Sequence, residues 1–493
     1  MARDIVAELA LSNRGAMIAP AGCGKTWTIA RAVTDHGRGR DLVLTHTHAG
    51  VDAIRRRLLE FRCPSSSVHV DTIAGWCLRL AAAFPATSRI STPTPRTNAE
   101  YLDIYASAAK LLHMRPYREI LEASYTSVYV DEYQDCTTEQ HAVIVSIADT
   151  LPCRVVGDPL QSIFAFRDRP VVDWNADVHS QFSAVPGPSD PQRWVRTNPA
   201  LGAWLLRIRP QLEHGLPVEL AGSPVRWVPA SDPRYLSATQ AKTCFEVAKD
   251  ANSSVVAIHS RHEQAYKLAS RLGGQYSCVE VVELEELYSA AEKIDQASGA
   301  ERALAVLDFA ERCMTAVGPA MRLHRESIAN GKPTRTTKHR EQRAALDAVA
   351  AGSAPETIAN ALTALYAIPD AVLYRREPLD EMRRACRALA EGEAATLAEA
   401  AWVVRNRTRQ RGRRLARCAM GTTLRVKGLE FDHAVVLAPD QYDAQNLYVA
   451  LTRGARSVSV VSASPTITPR PRKHPSGTTS RRLAPSATHT ERP

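Results

Sequence analysis

The stretch that most constrains this chain is Ala19-Pro-Ala-Gly-Cys-Gly-Lys-Thr26. A short apolar run, Gly15–Pro20, leads into it and reads as a strand, and Lys25–Thr34 reads as a helix. A glycine-containing turn between strand and helix makes a phosphate cradle, because backbone N–H groups and the positive helix end face one anion. Gly22 and Gly24 let the chain curl, Lys25 can reach β- and γ-phosphate oxygens, and Thr26 can offer its hydroxyl to Mg²⁺. Ala19, Pro20, Ala21, Gly22, Cys23, Gly24, Lys25 and Thr26 are therefore the candidate nucleotide-binding residues, with Ala19 standing where Gly is usual. The turn alone says only that a nucleoside triphosphate is bound.

Val128-Tyr-Val-Asp-Glu-Tyr-Gln-Asp135 adds the chemistry. An apolar strand delivers two adjacent carboxylates to its carboxyl end. Asp131 would hold the metal, and Glu132 would orient and deprotonate an attacking water. An acidic loop after a strand is common, but one downstream of a phosphate cradle reads as a nucleoside triphosphatase.

Around these segments strands alternate with helices through the first 165 residues, which implies a parallel sheet with ligands at the strand carboxyl ends. A second α/β pattern appears near Val255–His259 and resumes at Ala434–Ala438 and Val458–Ser462. Between them, roughly Leu287–Val404 is Ala-rich and helical. From Ser464 the chain is rich in Pro, Ser, Thr and Arg, and buries too little apolar surface to offset its ordering entropy. No run of about 18 apolar residues occurs, and the N-terminus lacks an apolar signal core, so no membrane partner and a cytoplasmic location are expected. The 10 cysteines form no CxxC pair, which argues against a zinc ribbon or a disulfide framework and fits a reducing compartment. The net charge of +10, from 62 Lys+Arg against 52 Asp+Glu, is compatible with a polyanionic partner.

Further segments make the chain resemble the UvrD/Rep/PcrA-like helicases of superfamily 1. DEYQD at 131–135 is similar to that family's DExQD box. In order along the chain, Leu44–Leu58 and Val70–Leu80 resemble its two DNA-contact motifs, and Val156–Arg167 its motif III. Trp194–Asn198 resembles motif IV, Gly421–Asp432 motif V and Leu447–Gly454 motif VI. The resemblance implies an α/β fold: two RecA-like P-loop domains with parallel sheets, each carrying a mainly helical insertion. The first domain would comprise residues 1–83 and 126–200, with a small helical insertion at 84–125. The second would comprise 201–286 and 415–463, with a helical insertion at 287–414 and a disordered tail at 464–493.

The same resemblance implies roles. Lys25, Asp131, Glu132, Gln161, Arg196 and Arg453 would be catalytic, with Gln161 sensing the γ-phosphate and the two arginines reaching it from the second domain. Thr26 and Asp131 would hold Mg²⁺, and Glu430 would touch the ribose of ATP. Thr45, His48, Trp76, Phe164, Phe166 and Arg167 would contact single-stranded DNA, although core packing competes with stacking for the two phenylalanines. The implied activity is ATP-dependent translocation or unwinding, 3′ to 5′, in repair, recombination or phage defence, the last beside a nuclease as in Gabija-like systems. A nucleotide-gated DNA-binding switch is the alternative from another class.

Departures from the pattern bear on these roles. No Gln precedes the P-loop within residues 1–18, and Val195 replaces the aromatic expected before Arg196. Selectivity for adenine is therefore expected to be loose. Leu424 and Ala74 stand where the family has His. The segment 405–417 holds Arg405, Arg407, Arg409, Arg411, Arg413, Arg414 and Arg417. It is either a phosphate-tracking patch or a solvated face.

Overall fold

The computed structural model describes residues 4–93, 95, 97–164, 170–280, 285–331, 336–352, 354–411 and 415–472. Two six-stranded sheets dominate it. The first is built from β1 (Arg14–Ile18), β2 (Asp41–Thr45), β3 (Val68–Thr72), β4 (Ser127–Val130), β5 (Cys153–Gly157) and β6 (Ser183–Val185). Their order is β3-β2-β4-β5-β1-β6, with every pairing parallel. β2, β4 and β5 are buried along their whole length, as strands covered on both faces by helices must be.

The chain next forms β7 (Val218–Glu219), β8 (Arg226–Pro229), β9 (Val255–Ile258) and β10 (Ser277–Cys278). β11 (Cys418–Gly421), β12 (Phe431–Leu437), β13 (Gly454–Ser462) and β14 (Thr466–Ile467) follow the helical stretch. The second sheet has the order β10-β11-β9-β12-β13-β8 and is again parallel throughout. Both sheets are RecA-like, and each is interrupted by helices; the P-loop sequence itself belongs only to the first.

The two interruptions differ in how they pack. Helices Ile73–Ala83, Asn98–Leu112 and Arg115–Ser124 separate β3 from β4. They share one core with the first sheet, where Trp76, Ile104, Leu112 and Leu121 meet Leu42, Val128 and Val130. Helices from Glu285–Gln296 to Leu397–Arg411 separate β10 from β11 and own a separate core around Leu307, Phe309, Leu362, Leu365 and Met382.

The expectation of a disordered segment from residue 464 is corrected for its first part. Ile467 is 1% exposed and packs with Val218, because β14 pairs antiparallel with β7. Arg470 Nε donates to the Asp440 carbonyl at 2.7 Å, and Arg472 Nη2 to the Ser162 carbonyl at 3.0 Å. Residues 473–493 lie outside the described residues.

The arginine run is largely structural where it is described. Arg405, 1% exposed, donates to Glu377 Oε1 at 2.5 Å and to Glu381 Oε1 at 2.9 Å. Arg407 pairs with Glu393 at 2.7 Å, and Arg417 donates to the carbonyls of Ala248, Asp250 and Ser253. Arg413, Arg414 and the side chains of Arg409 and Arg411 lie outside the described residues. Leaving the fully buried Glu381 carboxylate, with the partly buried Glu377 beside it, without a cation is costly. Arg405→Ala is therefore expected to destabilise the helical unit by about 3–5 kcal/mol. Urea unfolding followed by circular dichroism checks this; a midpoint matching wild type would show that the pair is dispensable.

Candidate nucleotide site

The order of the first sheet brings the two sequence motifs together. β5 lies between β1 and β4, so the turns after β1, β5 and β4 emerge side by side at one edge. The P-loop is tied to its neighbour by the Ala19 N–H, which donates to the Gly157 carbonyl at 2.9 Å. Gly22 and Gly24 take left-handed φ values of 71° and 93°, which glycine adopts without cost. A Cβ on Gly22 would also lie 2.5 Å from the Trp194 ring, so space and backbone both demand glycine there.

Helix Lys25–His36 starts at the end of this turn. Thr26 Oγ1 donates to Asp131 Oδ2 at 3.0 Å, and Lys25 Nζ lies 4.0 Å from Glu132 Oε1. Lys25 Nζ also donates to the Ala19 carbonyl at 3.3 Å, which parks the ammonium across the cradle. Glu132 sits at φ 56°, a left-handed conformation costing a non-glycine residue on the order of 1–3 kcal/mol, a strain typical of functional sites. The Thr26 hydroxyl and the Asp131 carboxylate form the all-oxygen donor pair that a hard divalent cation such as Mg²⁺ takes, so the residues present fit that ion.

Electrostatics separate the two carboxylates. Burial, reinforced by the adjacent Glu132, pushes the Asp131 carboxyl upward. Burial alone would raise Glu132 too, but Lys25 and Lys427 outweigh it and hold Glu132 low and ionised. Asp135 is pushed up to about 7 by burial, against the pull of Lys427. Glu132 is oriented by Gln134, whose Nε2 donates to Glu132 Oε2 at 2.5 Å.

The second sheet closes the other side of a cleft of about 3660 Å³, lined by Lys25, Thr26, Asp131, Glu132, Gln161, Glu430 and Arg453 among others. Arg453 is 2% exposed. Its guanidinium donates to the carbonyls of Val449 at 2.9 Å and Leu429 at 3.0 Å, and to Thr452 Oγ1 at 2.9 Å. No carboxylate among the described residues pairs with it. Burial first, and then neighbouring Arg193, hold its pKa down to about 10. Gln161, 5% exposed, donates from Nε2 to Asp158 Oδ2 at 2.8 Å.

Motif IV sits differently from its expected reading. Arg196 is exposed and does not line the cleft, whereas Arg193 does. The cause is Trp194, which is 1% exposed against Gly22 and donates from Nε1 to the Gly454 carbonyl at 2.8 Å. That anchor turns Arg193 toward the P-loop, where its N–H meets the Gly22 carbonyl at 3.1 Å and its guanidinium pairs with Glu430. Val195 and Arg196 are left facing outward. Trp27 was not singled out from the sequence either. It follows Thr26 directly, is 43% exposed, lines the cleft and packs edge-on against Phe61.

The residues expected at DNA divide. Thr45, His48 and Phe164 line the same cleft. Lys427 Nζ stands 4.8 Å from the Phe164 ring centroid, pairs with Asp135 and donates to the Gln161 carbonyl at 2.5 Å. Trp76 is 5% exposed and packs with Ile73 and Cys77 in the first core, so this aromatic fills volume rather than offering a face. Phe166 and Arg167 lie outside the described residues.

Residues 91–171, which contain both carboxylates and the motif III turn, match the UvrD/REP helicase N-terminal domain. Two proteins named as subunits of an ATP-dependent helicase/nuclease, from Lacticaseibacillus casei (strain BL23) and Lacticaseibacillus paracasei (strain ATCC 334), are each 30% identical over 130 residues. That stretch is 25% of this chain and only 10% of either relative. A solved structure titled "Complex structure of Arterivirus nonstructural protein 10 (helicase) with DNA" aligns at a TM-score of 0.36 and 10% identity. It covers 93% of this chain and 62% of that one, a likeness too distant to bear on the argument. The chain thus carries, on its first parallel sheet, a segment similar to the UvrD/REP helicase N-terminal domain.

Proposed function

We propose that this chain is a single-stranded-DNA-stimulated ATPase that moves along the strand, 3′ to 5′ in keeping with its family resemblance. The observation that carries the reading is Arg453. It is a buried arginine without a carboxylate partner among the described residues, and it lines the same cleft as the Lys25–Thr26 cradle and the Asp131–Glu132 pair. Three of a guanidinium's five donors are spent on neutral oxygens, which leaves two for an incoming anion. A nucleoside triphosphate seated on the P-loop supplies that anion as its γ-phosphate.

In this reading Lys25 neutralises the β- and γ-phosphates, and Glu132 takes the proton of the attacking water. Arg453, with Arg193 beside it, stabilises charge in the phosphoryl-transfer transition state. Thr26 and Asp131 would hold Mg²⁺, whose charge offsets that of the phosphates. Trp27 offers its ring to the base, which suits a chain lacking an aromatic at position 195 and predicts weak discrimination between ATP and GTP. Nucleotide binding draws the second sheet onto the first, and loss of the γ-phosphate releases it. DNA bound across Thr45, His48 and Phe164 is thereby gripped and let go in turn. Action beside a nuclease is supported by the name of the curated relatives.

ATP turnover with and without an unstructured DNA strand tests the proposal. Stimulation of about tenfold or more is expected, together with directional displacement of a protein block from one strand end. Equal rates with and without DNA would overturn it. Stimulation without displacement would leave a DNA-gated switch.

A further inference from the structure

We propose that Arg209 is a positioning residue that couples the γ-phosphate sensor to the movement of the second sheet; this rests on the motor reading above. Arg209 lies on helix Arg209–Glu213 and is 8% exposed. With the preceding helix Pro199–Arg207 it belongs to the core of the second sheet, where Trp204, Leu205, Ile208 and Leu212 pack with Val436, Leu451 and Val460. Its guanidinium nonetheless reaches into the first sheet's catalytic edge. Nη1 donates to Asp158 Oδ2 at 3.0 Å and to the Tyr448 hydroxyl at 2.9 Å.

Asp158 is fully buried, and its Oδ2 also accepts from Gln161 Nε2 at 2.8 Å. One carboxylate oxygen thus serves both the sensor and the arginine from the opposite half. The connections continue in both directions. The Asp158 N–H donates to Gln134 Oε1 at 2.8 Å, and Gln134 in turn orients Glu132. On the far side the Tyr448 hydroxyl accepts from the Ala21 N–H of the P-loop at 3.2 Å. The Arg209 guanidinium also lies over the Tyr448 ring, 5.1 Å from its centroid.

Glu132, Gln134, Asp158, Arg209, Tyr448 and Ala21 therefore form a chain of direct contacts from the proposed base, through the opposite sheet, back to the phosphate cradle. A displacement of the second sheet moves Arg209 and Tyr448 together, and so moves the shared oxygen that holds Gln161. Buried at Gln134, Asp158, Arg209 and Tyr448, such a hydrogen-bonded network has few alternative arrangements, which makes it suited to transmit a discrete change. Arg209 does not line the cleft, so its effect must act through Asp158.

The test measures ATP turnover of the full chain with and without an oligothymidylate strand, for wild type, Tyr448→Phe, Arg209→Gln and Arg209→Lys. Tyr448→Phe and Arg209→Gln are expected to lower the ratio of DNA-stimulated to unstimulated turnover by about tenfold. The KM for ATP should change by less than about threefold, and Arg209→Lys should regain part of the ratio. Tyr448→Phe removes one hydroxyl and no charge, so it carries the test if Arg209→Gln does not fold. A ratio unchanged in Tyr448→Phe, or both rates falling together, overturns the inference alone. A wild-type chain that DNA does not stimulate overturns the motor reading, and this inference with it.

Discussion

Replacing Glu132 with Gln is expected to reduce ATP turnover by about 10²–10⁴, the range contributed by a positioned proton acceptor. The substitution keeps the shape and the hydrogen-bonding capacity of the side chain. The left-handed turn at φ 56° and the contact from Gln134 should therefore survive. What is lost is the charge that Lys25 and Lys427 hold in place. Binding of a fluorescent ATP analogue should change by less than about threefold, so the defect falls on turnover rather than on affinity. Residual turnover above about a tenth of wild type, with binding intact, would assign proton abstraction to another group.

Removing Arg453 should have the other large effect. Arginines that meet the transferring phosphoryl group are worth about 10³–10⁵ in rate, so Arg453→Ala is expected to fall within that range. Its burial makes a second consequence unavoidable. The carbonyls of Val449 and Leu429 lose a charged donor, and the variant should unfold at a somewhat lower temperature. Arg453→Lys separates the two effects. It restores a cation to the cavity but cannot reach both carbonyls and the phosphate together, so stability should recover more than turnover. Turnover of Arg453→Ala within tenfold of wild type would remove this residue from the transition state. Arg193, which shares the cleft, would then be the next arginine to replace.

The P-loop and the carboxylate pair were legible because each is a contiguous segment whose chemistry follows from local backbone geometry. A strand, a turn with glycines at positive φ, and a helix start are all specified within Arg14–His36. Regular alternation likewise announced two parallel sheets, since strands covered on both faces need near-continuous apolar sequence. The helical stretch between β10 and β11 was visible in the absence of such runs.

Motif position was a weaker guide to which side chain faces the site. Arg196 matches the pattern of motif IV, yet Arg193 lies in the cleft, because the ring of Trp194 is drawn against Gly22. Trp76 occupies an expected aromatic position but is turned into the core of the first sheet. The arginine run looked like a single patch, and its described members point in different directions, toward Glu377 and Glu381, toward Glu393, and toward backbone carbonyls. Residues after 464 looked too polar to fold, but one buried isoleucine and a two-residue strand hold the first of them.

By itself, then, the sequence determined that a glycine-bearing turn between strand and helix and a pair of adjacent carboxylates exist and that each lies at the end of a parallel strand. These are short-range properties, set by φ, by alternation and by neighbours a few residues apart. The tertiary structure alone decided which distant side chains complete the site. Lys427 meets Asp135 across 292 positions of sequence, and Arg209 meets Tyr448 across 239. Such pairs depend on how two cores dock and on which face of a helix that docking turns inward. No local pattern encodes that face, because burial is settled by the whole apolar surface competing to leave water.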